Sequence, residues 1–207
     1  QYNVIIDKKI MILGNNMKQA IIQQYFQFYA IKSALNYHWD DKFCFEGESH
    51  NTWEIVTVLS GAVEVTENSR IYRLNAGNMI LHAPMEFHTI RSVKGTKPHV
   101  LVTSFSSIGD LPEKLTEGVF FLSEEEKKSY QQIFSIIYQF YNNTEKAHPL
   151  LGQECSCRLS AFLIELARNH ETNCPLIRSQ SAKEYHRFIT EMTDFSFSCI
   201  RYIIDES

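Results

Sequence analysis

No stretch of this sequence is apolar over the ~18–20 residues needed to cross a bilayer, and no basic start followed by a small-residue cleavage site marks a secretory leader. The expectation is a soluble, cytoplasmic protein with no membrane partner. Charge of one sign is lacking too: 20 Lys+Arg stand against 24 Asp+Glu, a formal net charge of −4. Residues 1–110 carry 10 basic and 10 acidic groups and residues 111–207 carry 10 and 14, so the whole excess lies in the second part. Nowhere are Lys and Arg dense enough to grip phosphates, which excludes a tight duplex-binding surface on this chain alone. Cysteine is sparse and odd in number: Cys44, Cys155, Cys157, Cys174 and Cys199. A disulfide framework favours an even, regular set in a short secreted chain. Cys155-Ser156-Cys157 is too tightly spaced for a CxxC metal or redox motif, so reduced, structural thiols are expected.

What is present suffices for a core. The chain has 207 residues, is 44% hydrophobic and holds 14 Phe, 10 Tyr and 2 Trp, enough for one large domain or a domain with an appended subdomain. From about residue 19 to 105 short strand-like segments alternate with turns. Residues 25–31 are aromatic-rich, and residues 53–59 are β-branched and end at Gly61. Residues 62–66 and 70–74 flank Glu67-Asn68-Ser69, read as a hairpin loop, and Ala76-Gly77-Asn78 is a further turn. Residues 87–93 and 99–105 enclose Lys94-Gly95-Thr96-Lys97-Pro98. Short strands at this spacing predict an antiparallel sandwich or barrel.

After Leu111-Pro112 the period changes. Ser123-Glu124-Glu125-Glu126 fits a capping box, followed by Tyr130, Ile133, Phe134, Ile137 and Tyr141 at helical steps. Asn142-Asn143 and the stretch to Pro149 break this helix. A second is predicted over residues 151–169 with Cys155, Leu159, Phe162, Leu163 and Leu166 on one face. The stripes are first of all core-forming, and their exposed remainder is the candidate face for a homodimer. Ser181-Ala182-Lys183-Glu184 is another possible capping box, and residues 199–206 read as the first turns of a further, truncated helix.

One cluster can carry chemistry. His50-Asn51-Thr52-Trp53-Glu54, Gly61, Gly77, Pro84 and His88 resemble the two motifs of the cupins. In metal-binding members the first motif supplies two His and a Glu, and the second a further His; His50, Glu54 and His88 match three of these. Glu48 stands at the first His position, and Glu86 stands where the family has Gly. Four residues of straight strand span about 13 Å, so His50 and Glu54 could share an ion only if the chain bent at Asn51-Thr52. A polar ligand pocket and a purely structural hydrogen-bonded network are the other readings. His82, in phase with Ile80 and Pro84, is a weaker candidate and reads first as ordinary.

His50, Glu54-Ile55, Val58-Leu59 and Gly61, then Tyr72, Leu74 and Gly77-Asn78-Met79-Ile80-Leu81, then Pro84 and His88, are together similar to the sensor domain of the AraC/XylS family of bacterial transcription regulators. Phe121-Leu122-Ser123 and Leu159, Phe162-Leu163 and Leu166-Ala167-Arg168 continue the likeness, and Ile200, Tyr202-Ile203 and Asp205-Glu206 resemble the opening of that family's DNA-binding domain. The resemblance implies an α+β chain: a cupin-like antiparallel β-barrel (a double-stranded β-helix or jelly roll) followed by an α-helical hairpin. It divides the chain into an effector-binding barrel with an N-terminal arm (1–110), a helical dimerisation subdomain (111–180) and a linker opening a truncated helix-turn-helix domain (181–207). It implies a small-molecule effector, sugar-like or otherwise small and polar, held by His50, Glu54 and His88 with stacking from Tyr25, Phe26 and Phe28. It also implies a homodimer through Leu159, Phe162, Leu163 and Leu166, and contact with DNA only through the missing domain. No catalytic group, metal or cofactor is expected. The alternative is a metal-dependent cupin enzyme, a dioxygenase or isomerase, using Glu48, His50, Glu54 and His88 as ligands.

Overall fold

The computed structural model describes residues 22, 24–67, 70–116 and 118–169. The arm expected over residues 1–18, the hairpin tip Asn68-Ser69 and the segments expected over 181–207 lie outside the described residues.

Among the described residues nine strands form two antiparallel sheets. In chain order they are β1 (Phe26–His38), β2 (Cys44–Glu48), β3 (Trp53–Ser60), β4 (Ala62–Glu67), β5 (Arg70–Asn75), β6 (Asn78–His82), β7 (His88–Ser92), β8 (His99–Gly109) and β9 (Val119–Phe121), with two helices after them, α1 (Glu124–Asn142) and α2 (Pro149–Asn169). One sheet has the order β1-β8-β3-β6-β9 and the other β2-β7-β4-β5. This is the expected cupin-like jelly roll followed by a helical hairpin; its two sheets form an open sandwich, with no hydrogen bonding from one into the other among the described residues.

The layering follows from the two-residue repeat of a strand. In β3, β6 and β8 one set of side chains faces the second sheet: Val56 and Val58, Ile80, Val100 and Val102 join Val63, Val65, Tyr72 and Leu74 in one core. The alternate set, Ile55, Met79, Leu81, Leu101 and Phe105, packs with Tyr130, Ile133, Phe134 and Ile137 of α1 and with Leu159, Phe162, Leu163 and Leu166 of α2. The middle sheet is buried on both faces, so these strands read as near-continuous apolar runs. The order is helices, five-stranded sheet, four-stranded sheet.

Local chemistry sets the ends. Gly61 turns the chain between β3 and β4 at φ +71, and an added Cβ would stand 2.7 Å from the Pro98 Cα. Ser123 caps α1: its side chain accepts from the Glu126 N–H while the Glu126 carboxylate accepts from the Ser123 N–H at 2.8 Å. Pro149 occupies the first turn of α2, where its missing N–H costs nothing.

Leu159, Phe162, Leu163 and Leu166, expected at a dimer face, are all buried in the chain's own core. They pack the helical pair against the sheet. The helices present Tyr138, Tyr141, Leu150 and Ile164 to the outside instead.

Candidate functional site

Strand register gathers a cluster of acids and histidines between the sheets. In the five-stranded sheet Glu54 of β3 stands between His82 of β6 and Ser104 of β8. In the other, His88 of β7 stands between Glu48 of β2 and Glu67 of β4. A bulge between Phe45 and Glu48 sets Glu48 opposite His88, with Gly47 at φ +115 where an added Cβ would meet the His88 carbonyl at 2.8 Å.

The bend needed at Asn51-Thr52 is present. It brings His50 Nε2 to 3.3 Å from Glu54 Oε2 and 4.0 Å from Glu48 Oε1, far inside the reach of a straight strand. From the opposite sheet His88 Nε2 reaches 3.4 Å from Glu54 Oε1, and from the neighbouring strand of its own sheet the Ser104 hydroxyl donates to Glu54 Oε2 at 2.8 Å. The loop between β6 and β7 fastens the group. The Met85 N–H donates to the His50 carbonyl at 2.8 Å, and the Glu86 carbonyl accepts from His88 Nδ1 at 3.0 Å. Met85 itself adopts φ 65, a left-handed conformation uncommon for a non-glycine residue.

Burial alone would raise the Glu54 carboxyl. The contacts and charge of His88, the Ser104 hydroxyl and the charge of His82 outweigh it and hold the group down to about 2. Burial works against a charged His88 ring, yet the Glu54 carboxylate, the Glu86 carbonyl and Glu48 raise it above its ordinary value. His82, fully buried, is pushed down by desolvation.

These groups close one end of a cavity of about 360 Å³. Glu48, Glu54, His82 and His88 line it, Val56, Val65 and Val102 form its apolar flank, and Tyr37, Trp39, Phe43 and Phe45 form an aromatic wall. Tyr37 stacks on Trp39 at 5.2 Å and Trp39 on Phe43 at 3.9 Å, a rigid wall of the kind that presents flat apolar area. His50 stands behind Glu54 rather than on the wall of the cavity. Tyr25, Phe26 and Phe28, expected to stack on an effector, do not line it. Tyr25 is exposed, Phe26 is half-buried against the helix-side core, and Phe28 is buried there with its ring 4.6 Å from that of Phe105.

Two things were missed in the sequence. His82 is part of the cluster, its ring stacked on His88 at 4.4 Å with an interplanar angle of 9°. Behind it, Tyr72 donates to Glu67 Oε2 at 2.8 Å, and His82 Nδ1 lies 3.8 Å from Glu86 Oε2, giving a second group of Glu67, His82 and Glu86. Burial, with Glu86 adding to it, raises the Glu67 carboxyl. The only sequence signal was phase: His82 shares its strand face with Ile80, which faces the second sheet.

In Glu48, His50, Glu54 and His88, one ligand atom from each lies within 4.8 Å of the others. Imidazole and carboxylate donors at that spacing fit a first-row divalent ion such as zinc, manganese or iron.

Against this geometry, the sequence profile described as the AraC-like ligand binding domain matches residues 34–153. The chain belongs to this family. The match spans the end of β1, β2 to β9, α1 and the start of α2, and so contains the whole cavity. No curated protein matches. Among solved structures it is similar to apo ToxT from Vibrio cholerae, at 11% identity and TM-score 0.48, over 72% of this chain and 58% of that one. It is also similar to the Cnp3 cupin domain of Schizosaccharomyces pombe, at 14% identity and TM-score 0.34, over 42% and 65% of the two chains. A third is the DMSP lyase DddQ from Ruegeria pomeroyi, at 18% and 0.32, over 39% and 43%. The chain thus spans less than two thirds of the length of each of these three. Among the described residues no helix is long and apolar enough to cross a membrane.

Proposed function

We propose that this AraC-like domain senses a small molecule inside the sandwich and thereby governs DNA binding by a helix-turn-helix domain of its parent polypeptide. The observation that carries the reading is the cavity: about 360 Å³, bounded by a stacked aromatic wall on one side and a histidine–carboxylate group at its end. Such a site offers apolar area for affinity and a few fixed polar groups for orientation. Glu54, His88 and Glu48 supply the polar contacts, with His50 holding Glu54 in place. Tyr37, Trp39, Phe43 and Phe45 take the stacking role first assigned to the start of β1.

The route outward is short. Ser104 of β8 bonds Glu54 on the cavity side, and its neighbour Thr103 accepts the Tyr130 hydroxyl of α1 at 3.2 Å on the other. A ligand that holds Glu54 differently in two arrangements can bias the helices only by its difference in affinity for them. The parent acts as a homodimer through the outer helical surface that includes Ile164 and Leu150. The test is thermal unfolding against a metabolite panel: a specific ligand at 100 times its Kd raises stability by about 2.7 kcal/mol, and a panel without effect counts against sensing.

The convergence of four ligand atoms favours a second reading, a metal-dependent cupin enzyme. A bound ion would supply Lewis acidity at the cavity end, with Glu48, His50, Glu54 and His88 holding it and the aromatic wall orienting a substrate. Metal analysis of the purified chain separates the two: stoichiometric zinc, manganese or iron that is lost on chelation, with turnover, supports the enzyme.

A further inference from the structure

The chemistry at the end of the cavity selects a class of ligand, and the selection rests on the reading of the cavity as an effector site. His88 turns Nδ1 toward the Glu86 carbonyl at 3.0 Å, and His50 turns Nδ1 toward the Thr52 carbonyl at 3.2 Å. A carbonyl only accepts, so His88 Nδ1 carries a hydrogen; His50 Nδ1 also lies 2.8 Å from the Thr52 hydroxyl, and His50 Nε2 lies 3.3 Å from Glu54 Oε2. A nitrogen of each ring converges with the carboxylates of Glu48 and Glu54, all within 4.8 Å. His88 Nε2 is buried and has no hydrogen-bond partner in the protein. Two carboxylates at one end of the cavity repel unless something positive stands among them. A proton on a ring, a divalent ion or an ammonium group satisfies such a nest.

We infer that the ligand of this cavity is an organic cation, a primary or secondary amine whose ammonium group sits between Glu48 and Glu54 and whose carbon body lies along Trp39 and Phe43. The spacing suits it: an ammonium donating at ~2.8–2.9 Å along tetrahedral directions holds two acceptors about 4.7 Å apart. The walls suit it as well. Neither Lys nor Arg is among the described residues lining the cavity, while two carboxylates are, so carboxylate and phosphate ligands meet like charge. Aromatic faces add cation–π attraction beside their apolar area. A bare metal ion would use the nest and leave the rest of the 360 Å³ without a role.

The test is calorimetric titration of the chelator-treated 207-residue chain with a matched panel in which butyl, phenylethyl and phenylpropyl skeletons each carry an amine, an alcohol or a carboxylate, together with glucose. The expected result is at least one amine binding 10-fold or more tighter than its alcohol and carboxylate counterparts. Glu48→Gln, at a side chain 51% exposed, is expected to cut that affinity at least 10-fold with an unchanged circular dichroism spectrum. Glu54→Gln checks the same contact from the other side. Alcohols, carboxylates or glucose binding as well as the amines would overturn the cationic class and leave effector sensing standing. Zinc or manganese binding at one equivalent, blocking the amine, would overturn it in favour of a metal centre. Binding by no member of the panel would sink both the cationic class and the sensing reading.

Discussion

Glu54 and His88 meet from opposite sheets, with His88 Nε2 3.4 Å from Glu54 Oε1 in the space between the layers. One belongs to β3, on the sheet that carries the helices, and the other to β7, on the sheet that does not. Their contact ties the two halves of the sandwich together at the point where the cavity ends.

The pairing has a pH signature. The Glu54 carboxyl is held at about 2, below the 4.5 of an unperturbed group. Stabilisation from a depressed carboxyl is therefore complete above pH 4.5 and is lost as pH falls toward 2. At roughly 1.4 kcal/mol per unit the ceiling is about 3.5 kcal/mol. His88 is displaced the other way, so its contribution is present below its ordinary value of 6.5 and fades as pH rises above it. Urea unfolding of metal-free protein across pH 2–5 is expected to show wild type losing more stability than Glu54→Gln; parallel profiles would remove the pair from the account.

The helical stripes are core. Leu159→Ala is expected to cost about 2–5 kcal/mol, and Leu159→Asp to unfold the chain, because the side chain is fully buried against the sheet. Ile164→Asp, at a residue 42% exposed, is expected to leave circular dichroism unchanged and to weaken self-association in sedimentation. A folded, monomeric Leu159→Asp variant would return the buried stripe to the dimer face.

Aromatic roles divide between the two ends of β1. Trp39→Ala is expected to weaken effector binding about 10-fold or more while the chain stays folded, because the indole lines the cavity. Tyr25→Ala, at a side chain outside it, is expected to bind as wild type. Titration of both variants with any ligand that stabilises the wild type checks this, and equal losses would contradict the assignment.

The α1 cap offers a separate check on the fold. Ser123→Ala removes an acceptor from the first turn and is expected to cost about 1 kcal/mol, read as a fall in unfolding midpoint with effector affinity unchanged. No change in midpoint would mean that solvent replaces the cap.

Legibility followed chemistry that is local in sequence. The turns at Gly61 and Gly77, the capping box at Ser123 and the stripe from Tyr130 to Ile137 announce themselves because each depends on residues within a few positions. β2 went unread because Cys44–Glu48 is short, includes a glycine and has no alternation, and β9 because it has only three residues. His50, Glu54 and His88 are legible through the resemblance to the cupin motifs, and strand length alone requires the bend at Asn51-Thr52 that unites the first two. His82 and the aromatic wall depend on which strand lies beside which. Trp39 and Phe43 both come from the connection between β1 and β2, and the pairing of β2 with β7 brings that wall to the cavity.

The most direct measurement of the central claim fills the cavity. Ile90 lines it from the four-stranded sheet, and Ile90→Trp places an indole in the space proposed for the effector. Thermal unfolding of wild type and variant against the same compound panel is predicted to show at least one compound raising the midpoint of the wild type and leaving that of the folded variant unmoved. Equal stabilisation of both proteins would mean that the ligand binds elsewhere and would contradict the account.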